Sequence, residues 1–274
     1  MTTGPDWSGI VGDTWAAEWR RTDRSFAGLA PHLDAAILTH APAHGRILDI
    51  GCGAGATILA LARARPDLDF TGVDLSATLV ATARERAGAL RATFVVGAVE
   101  RVAADLAPID LFVSRHGVMF FDDPVAALTA LHAAARPGAR LVFSCFRAAS
   151  ENAWATEIAT AVRGGPAPAP TGYVPGPFGF ADPTFTAATL RRAGWTPDAP
   201  AAIDFTYRAG EGDDPVADAL DFFGRIGPAA PLLRAASPEE RAPMLARLHK
   251  VLAARATATA VDFPAATWLW SARA

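Results

Sequence analysis

One stretch constrains this chain more than any other: Arg46-Ile-Leu-Asp-Ile-Gly-Cys-Gly-Ala-Gly-Ala-Thr57. Ile47, Leu48 and Ile50 form a short apolar run of β type. Gly51, Gly53 and Gly55 follow at every second position, and Ile58, Leu59, Leu61 and Ala62 then fall on one face of a helix. A buried strand, a glycine turn and a helix start are therefore predicted. Glycine has no Cβ, so such a turn adopts positive φ and lets a ligand approach its backbone. The N–H groups of a helix start suit an anion, either phosphate or carboxylate. Gly51-x-Gly53-x-x-Ala56 also meets the loose dinucleotide fingerprint, so a nicotinamide (NAD(P))-dependent oxidoreductase is one reading. Asp49 points elsewhere. A carboxylate two residues before the turn repels pyrophosphate and attracts an ammonium group. A zwitterionic amino-acid tail satisfies both features.

Asp69-Phe-Thr-Gly-Val-Asp-Leu75 reads as the next strand, ending at Asp74. An acid at that strand end is placed to accept both hydroxyls of a ribose. A nucleoside carrying an amino-acid tail is S-adenosylmethionine (SAM), and that is the expected cofactor. Asp49-x-Gly51-x-Gly53-x-Gly55 with Gly72-Val-Asp74 resembles the first motif and following acid of class I SAM-dependent methyltransferases. Arg136-Pro-Gly-Ala-Arg140 before an apolar strand resembles that family's entry to its fifth strand. Ser114-Arg-His-Gly-Val-Met-Phe-Phe121 and Gly176-Pro-Phe-Gly-Phe-Ala-Asp-Pro183 are similar to a small-molecule branch related in pattern to quinone-pathway C-methyltransferases. The resemblance implies methyl transfer to oxygen, nitrogen or carbon of a small, largely apolar molecule. A SAM-binding fold member without methyl transfer stands as the other alternative. It also implies an acid at the end of the third strand for the adenine amino group. Here that position is Ala98, followed by Val99, so backbone groups or Glu100 would have to substitute.

Between 46 and 146 strand and helix alternate five times, which predicts a parallel sheet with helices on both faces. The expected strands after the first two are 93–99, 109–116 and 141–146. Ser76 and Asp123-Pro124 are helix starts. The expected class is α/β: a Rossmann-like, doubly wound, seven-stranded, mainly parallel sheet with a helical N-terminal segment and an inserted helical lid. Residues 1–45 form the N-terminal helical cap, with Asp13 to Leu38 read as helical, and 46–146 the SAM-binding core. Proline and glycine mark 147–183 as a long substrate-side loop. Residues 184–274 complete the sheet, with a helical insertion at 213–256 opened by Asp214-Pro215 and containing the capping box Ser237-Pro-Glu-Glu240.

Ligands in such sheets bind beyond the carboxyl ends of the strands, at the switch in strand order. Asp49, Gly51, Cys52 and Gly53, then Asp74 and Leu75, Ala98 and Val99, and Ser114 and Arg115 all fall there and are the expected cofactor contacts. His116 is the one histidine at that edge, a candidate general base with an ordinary pKa of about 6.5; a hydrogen-bonding or packing histidine in contact with the cofactor or substrate is the competing role. Trp15, Trp19, Tyr173 and Phe178 are candidate substrate contacts from the cap and the loop. No His/Cys/Asp cluster has metal-ligand spacing, so no metal is expected. Net charge is −3, and Lys250 is the sole lysine among 25 basic residues, with no dense basic run. Nucleic-acid binding is therefore not expected. Cys52 and Cys145 alone make no disulfide framework. The sequence has no membrane-length apolar stretch and no signal-type start, so a soluble cytoplasmic protein is expected. The oligomeric state is open.

Overall fold

The computed structural model describes residues 4–166 and 172–274. The N-terminal segment forms α1 (Gly4–Trp7), α2 (Ile10–Ala17), α3 (Trp19–Ser25) and α4 (Ala30–His40). The alternating core follows as β1 (Arg46–Ile50), α5 (Ala56–Ala64), β2 (Asp69–Asp74), α6 (Ala77–Ala87), β3 (Ala92–Val96), α7 (Val99–Leu106), β4 (Ile109–Arg115), α8 (Pro124–Ala133) and β5 (Ala135–Phe146). The rest comprises α9 (Ala153–Arg163), α10 (Pro183–Arg192), β6 (Thr196–Pro197), β7 (Ala201–Glu211), α11 (Pro215–Arg225), α12 (Ala230–Ala235), α13 (Pro238–Ala254) and β8 (Ala260–Arg273).

Among the described residues these strands form one sheet of eight, in the order β3-β2-β1-β4-β5-β8-β6, with β7 also paired to β8. β1 to β5 run parallel, while β8 lies antiparallel between β5 and the collinear β6 and β7. The sequence reading of seven strands omitted β6, a two-residue pairing too short to leave a periodic pattern. Alternate residues feed two cores. Leu48, Phe112, Leu141 and Phe143 enter the larger one, whereas Ile47, Leu111, Val113 and Val142 enter the other, against α4 and α5. This period-two division is what a sheet covered on both faces requires.

The expected helix starts are present. The side chains of Ser76, Asp123, Asp182 and Asp214 each accept a backbone N–H in the following turn, and Ser237 with Glu240 forms a reciprocal capping box. Several boundaries differ. The 13–38 stretch divides into three helices at Glu18 and Phe26. The third strand stops at Val96, because Val99, Val102 and Ala103 bury one face of α7, a helix that the strand reading absorbed. Pro137-Gly138 does not separate helix from strand; it lies in a bulge within β5. The 147–183 stretch is not all loop either. Trp154, Ala155, Ile158 and Val162 are the buried face of α9, whose spacing the proline-rich run beyond it obscured. Residues 167–171 of that expected loop lie outside the described residues.

Asn152 fastens α9 to the sheet. Its Oδ1 accepts from Ala266 N at 3.0 Å and Trp154 Nε1 at 3.2 Å, and its Nδ2 donates to the carbonyl of Ala266 at 3.1 Å. The residue is wholly buried. Asn152→Ala leaves these groups unpaired, at about 1–3 kcal/mol for each buried orphan. We expect a loss of about 2–4 kcal/mol in urea unfolding; a loss below about 1 kcal/mol would show that water replaces the amide.

Candidate functional site

The glycine turn crosses the carboxyl ends of β1 and β2. Gly51, Gly53 and Gly55 have φ of +65°, +54° and +82°, the left-handed region that favours glycine. A Cβ on Gly51 would sit 3.1 Å from Gly117 Cα, and one on Gly55 would sit 3.0 Å from the Phe94 ring. A Cβ on Gly53 would meet nothing within 4 Å. The turn is packed underneath and open above its middle glycine. No side chain caps the start of α5. Cys52 is buried beneath the turn, and a Cβ on Gly72 would lie 2.8 Å from its Sγ. Burial pushes the Cys52 thiol up, with Asp49 and Asp74 adding to the effect. It is a packing element rather than a thiolate.

Asp74 shapes the turn. One carboxylate oxygen accepts from Gly53 N at 2.9 Å and the other from Ser76 N at 2.9 Å. Burial raises its pKa, and the N–H groups of Ser76, Gly53 and Leu75 oppose that rise. Each oxygen keeps a second lone pair, enough for two ribose hydroxyls. Leu75 and, across the β2–β3 register, Val96 are exposed apolar side chains beside it. They offer a flat apolar base such as adenine a surface to rest on. Val96 was not among the expected contacts; as a strand residue it gave no sign of facing outward. Ala98 is exposed and Val99 is buried.

Asp49 is 1% exposed, and its Oδ1 has no hydrogen-bond partner. Burial raises its pKa to about 8; Arg115 opposes the rise while Asp74 and Asp34 reinforce it. A buried carboxyl without a partner is a receptor for a cation. The open glycine turn, the unpartnered Asp49 and the remaining acceptor sites of Asp74 therefore fit the amino-acid tail and ribose of SAM.

Ser114 is committed to the fold. Its hydroxyl donates to the Ile50 carbonyl at 2.7 Å and accepts from Gly117 N at 3.0 Å, tying β4 to the end of β1. Arg115 pairs with Asp23 of α3 at 3.0 Å, and the other oxygen of Asp23 takes Arg86 of α6 at 2.6 Å. Arg86 also donates to the Ala54 carbonyl in the glycine turn at 2.6 Å. Sequence reasoning named neither Asp23 nor Arg86. They lie 63 positions apart and belong to no local motif.

His116 sits at φ +68°, unusual for a residue with a Cβ, and is 6% exposed. Burial and Arg115 push its pKa down to about 3, so the imidazole is neutral at working pH. The expected substrate contacts part company. Phe178 packs against Phe146 and Trp154 beside His116. Tyr173 instead donates to the Phe121 carbonyl at 2.6 Å and stacks on Phe185. Trp15 packs on Trp7, and the guanidinium groups of Arg20 and Arg86 both lie over the Trp19 ring. Among the described residues no group of acidic, histidine or cysteine side chains is arranged to hold a metal, and no helix is long and apolar enough to cross a membrane.

Residues 47–138 match the family model described as a methyltransferase domain. A carboxy-S-adenosyl-L-methionine synthase of Chromohalobacter salexigens is 39% identical over 122 residues, 40% of this chain and 44% of that protein. A malonyl-acyl-carrier-protein O-methyltransferase of Priestia megaterium is 28% identical over 100 residues, 36% of each. The chain thus spans less than half the length of these relatives. Among solved structures, the YcgJ protein of Bacillus subtilis superposes with a TM-score of 0.55 at 16% identity, covering 88% of this chain and 97% of that one. A protein of echinomycin biosynthesis gives 0.53 at 22% identity, covering 88% and 79%. The [4+2]-cyclase SpnF gives 0.50 at 18% identity, covering 88% and 80%. These structures share the fold. Residues 47–138 are thus similar to a methyltransferase domain, and the chain shares the Rossmann-like α/β fold of these structures.

Asp49 also has a consequence for stability. Its folded pKa of about 8 lies above the ordinary 3.8, so between those values the folded state holds a proton that the unfolded state has lost. Stability from this group is complete at the acidic end and falls as pH rises toward about 8. Asp49→Asn removes the dependence. We expect the variant to gain on the parent steadily from pH 5 to pH 8 in urea unfolding; parallel curves would refute a buried, protonated Asp49.

Proposed function

We propose that the protein binds SAM across the carboxyl ends of β1, β2 and β3 and transfers its methyl group to a small, largely apolar molecule. The observation that carries this reading is the open Gly53 turn flanked by two acids of different character. Asp49 is buried without a partner and suits an ammonium; Asp74 is fixed by backbone N–H groups with acceptor capacity to spare. The acid before the turn is misplaced for a nucleotide pyrophosphate, which separates this reading from the oxidoreductase alternative. When bound, SAM supplies a methyl group already activated by its sulfonium. The protein's part is to orient the acceptor in line with it, an effect worth about 7–11 kcal/mol in well-ordered cases.

The roles of the residues follow from their positions. Asp74 holds the ribose, Leu75 and Val96 flank the adenine, and Asp49 takes the ammonium. Gly51, Cys52, Gly53, Ala98 and Val99 form the wall, and Ser114 fixes the turn from behind. Arg115 and Arg86 hold Asp23, so α3 closes the edge. The acceptor lies on the His116 side, next to Phe178. A cytoplasmic location and a small-molecule rather than a nucleic-acid substrate complete the proposal, supported by two buried free cysteines and a net charge of −3. The fold alone does not fix the reaction, because one structural neighbour is a cyclase.

Calorimetry with SAM and S-adenosylhomocysteine tests the proposal. Both are expected to bind, and NADH is not. Asp74→Ala should weaken binding roughly 100-fold, the loss of two hydrogen bonds to a charged acceptor. Near pH 6.5 the ammonium ligand should drive a proton off Asp49, so the parent releases a proton on binding and Asp49→Asn does not. Absence of binding by either sulfur compound would reject the proposal.

A further inference from the structure

Beyond Asp74 the strand ends carry apolar side chains that the fold leaves uncovered. Leu75 is 38% exposed and Val96 42%, two of the four large apolar side chains left exposed among the described residues. Val96 is the register partner of Asp74, so the pair flanks that carboxylate. Uncovered apolar side chains beside a hydrogen-bonding group suit a flat ring joined to a polar one. The Gly97 N–H then bonds the Asp74 carbonyl at 2.9 Å, and the chain enters α7 from Ala98. Two residues of chain reach at most about 7 Å, so Ala98 borders the far edge of a ring that lies against Val96.

That edge of the ring meets little chemistry. Ala98 is exposed, and its side chain is one methyl group, able neither to donate nor to accept. Along residues 75–104 the acids are Glu85 and Glu100 alone. Glu85 lies in the last turn of α6, which has by then run back toward the amino ends of the strands. Glu100 is half-buried in the first turn of α7, next to Val99, whose side chain joins the core. Asp13, which approaches from α2, is taken by the hydroxyl of Thr78. There is also room: a Cβ added to Gly97 would meet nothing closer than Val102 Cγ2 at 3.4 Å. A polar group on the ring that faces outward here keeps its water, so binding neither rewards nor penalises it. A substituent on that group projects past a methyl into solvent.

We propose that Ala98 leaves position 6 of the cofactor's purine unread and open to solvent, so that the site takes SAM-type nucleosides with the amino group, without it, or with a bulky substituent on it. The proposal rests on the SAM-binding reading and specifies which part of the nucleoside is recognised. In a purine nucleoside the sugar sits on the five-membered ring and position 6 on the six-membered ring. A ribose at Asp74 therefore sends position 6 away from the carboxylate and toward Ala98. Leu75 and Val96 hold the base by its apolar faces, which are the same whether or not the amino group is present. Selectivity then lies at the two ends that carry acids, the ribose at Asp74 and the amino-acid tail at Asp49, and not at the base.

The test is calorimetric titration of the whole protein with three compounds: S-adenosylhomocysteine, its analogue lacking the 6-amino group, and its N6-benzyl derivative. We expect their Kd values in the parent to agree within about threefold, a comparison that needs no variant to fold. Ala98→Leu should weaken the benzyl derivative at least tenfold and leave the deamino analogue within about threefold of its parent value. Glu100→Gln should leave the ratio of S-adenosylhomocysteine to deamino affinity unchanged. If S-adenosylhomocysteine fails to bind, the underlying reading falls and this one with it. If it binds and the deamino analogue is more than about tenfold weaker, the amino group is read and the proposal is overturned; a preference that disappears in Glu100→Gln would name Glu100 as the reader. Exclusion of the benzyl derivative by the parent would show the edge to be closed. An Ala98→Leu variant that still takes it as well as the parent would show that the opening is not at Ala98.

Discussion

The active edge depends on the carboxylate of Asp74. A three-glycine turn in the left-handed region has no regular hydrogen-bond ladder of its own. Asp74 supplies the missing acceptors, taking Gly53 N with one oxygen and Ser76 N with the other. The bond from Cys52 N to the Val73 carbonyl adds a second tie from the same strand. The turn is thereby pinned to the end of β2 and α5 starts in a fixed direction. The Cβ clearances follow from this: contact below Gly51 and Gly55, open space above Gly53. One side chain sets the loop's shape and keeps lone pairs in reserve, so the atoms that build the turn are also the ones proposed to bind the ribose.

Charge around this edge is deliberately uneven. Burial raises the cost of ionising Asp49, Asp74 and Asp34 add to it, and Arg115 is the cation acting against it. Arg115 is also engaged by Asp23, which it shares with Arg86. On its other side the N-terminal segment is held by Arg21 and Arg24, paired with Asp218 at 2.9 and 2.7 Å. These pairs are partly buried, and single ion pairs near a protein surface contribute little, about 0–1 kcal/mol. Here they act as a set, on a segment that has no strand in the sheet, and they join it to α6, β4 and α11 at once.

The sequence made the backbone of this site legible for a physical reason. Positive φ without a Cβ demands glycine, and a strand-end acid that bonds the turn's N–H groups must stand at one register position. Gly51, Gly53, Gly55, Asp49 and Asp74 could be read because their roles are local. Helix caps were legible on the same ground, since Ser76 and Asp214 bond to N–H groups three residues on. What escaped reading was long-range. Asp23 meets Arg115 across 92 positions and Asn152 meets Ala266 across 114. Helices α7 and α9 escaped for a different reason: their apolar faces are short, and neighbouring strand and proline signals dominate the same windows.

His116 shows where local reading stops. The chain position gave its place at the strand end, and its ordinary pKa suggested a base. Burial weakens that inference, because a ring enclosed by Phe26 and Phe146 and close to Arg115 is a weaker base than a free imidazole. The same burial leaves its Nε2 without a partner, and a hydrogen bond made there would count for more than one made in water. Arg115 links the two halves of the edge. It adds to the burial that keeps His116 neutral and opposes the burial that disfavours charge on Asp49, so one guanidinium acts in opposite senses on the two groups. A cationic cofactor is the ligand that the field at Asp49 suits.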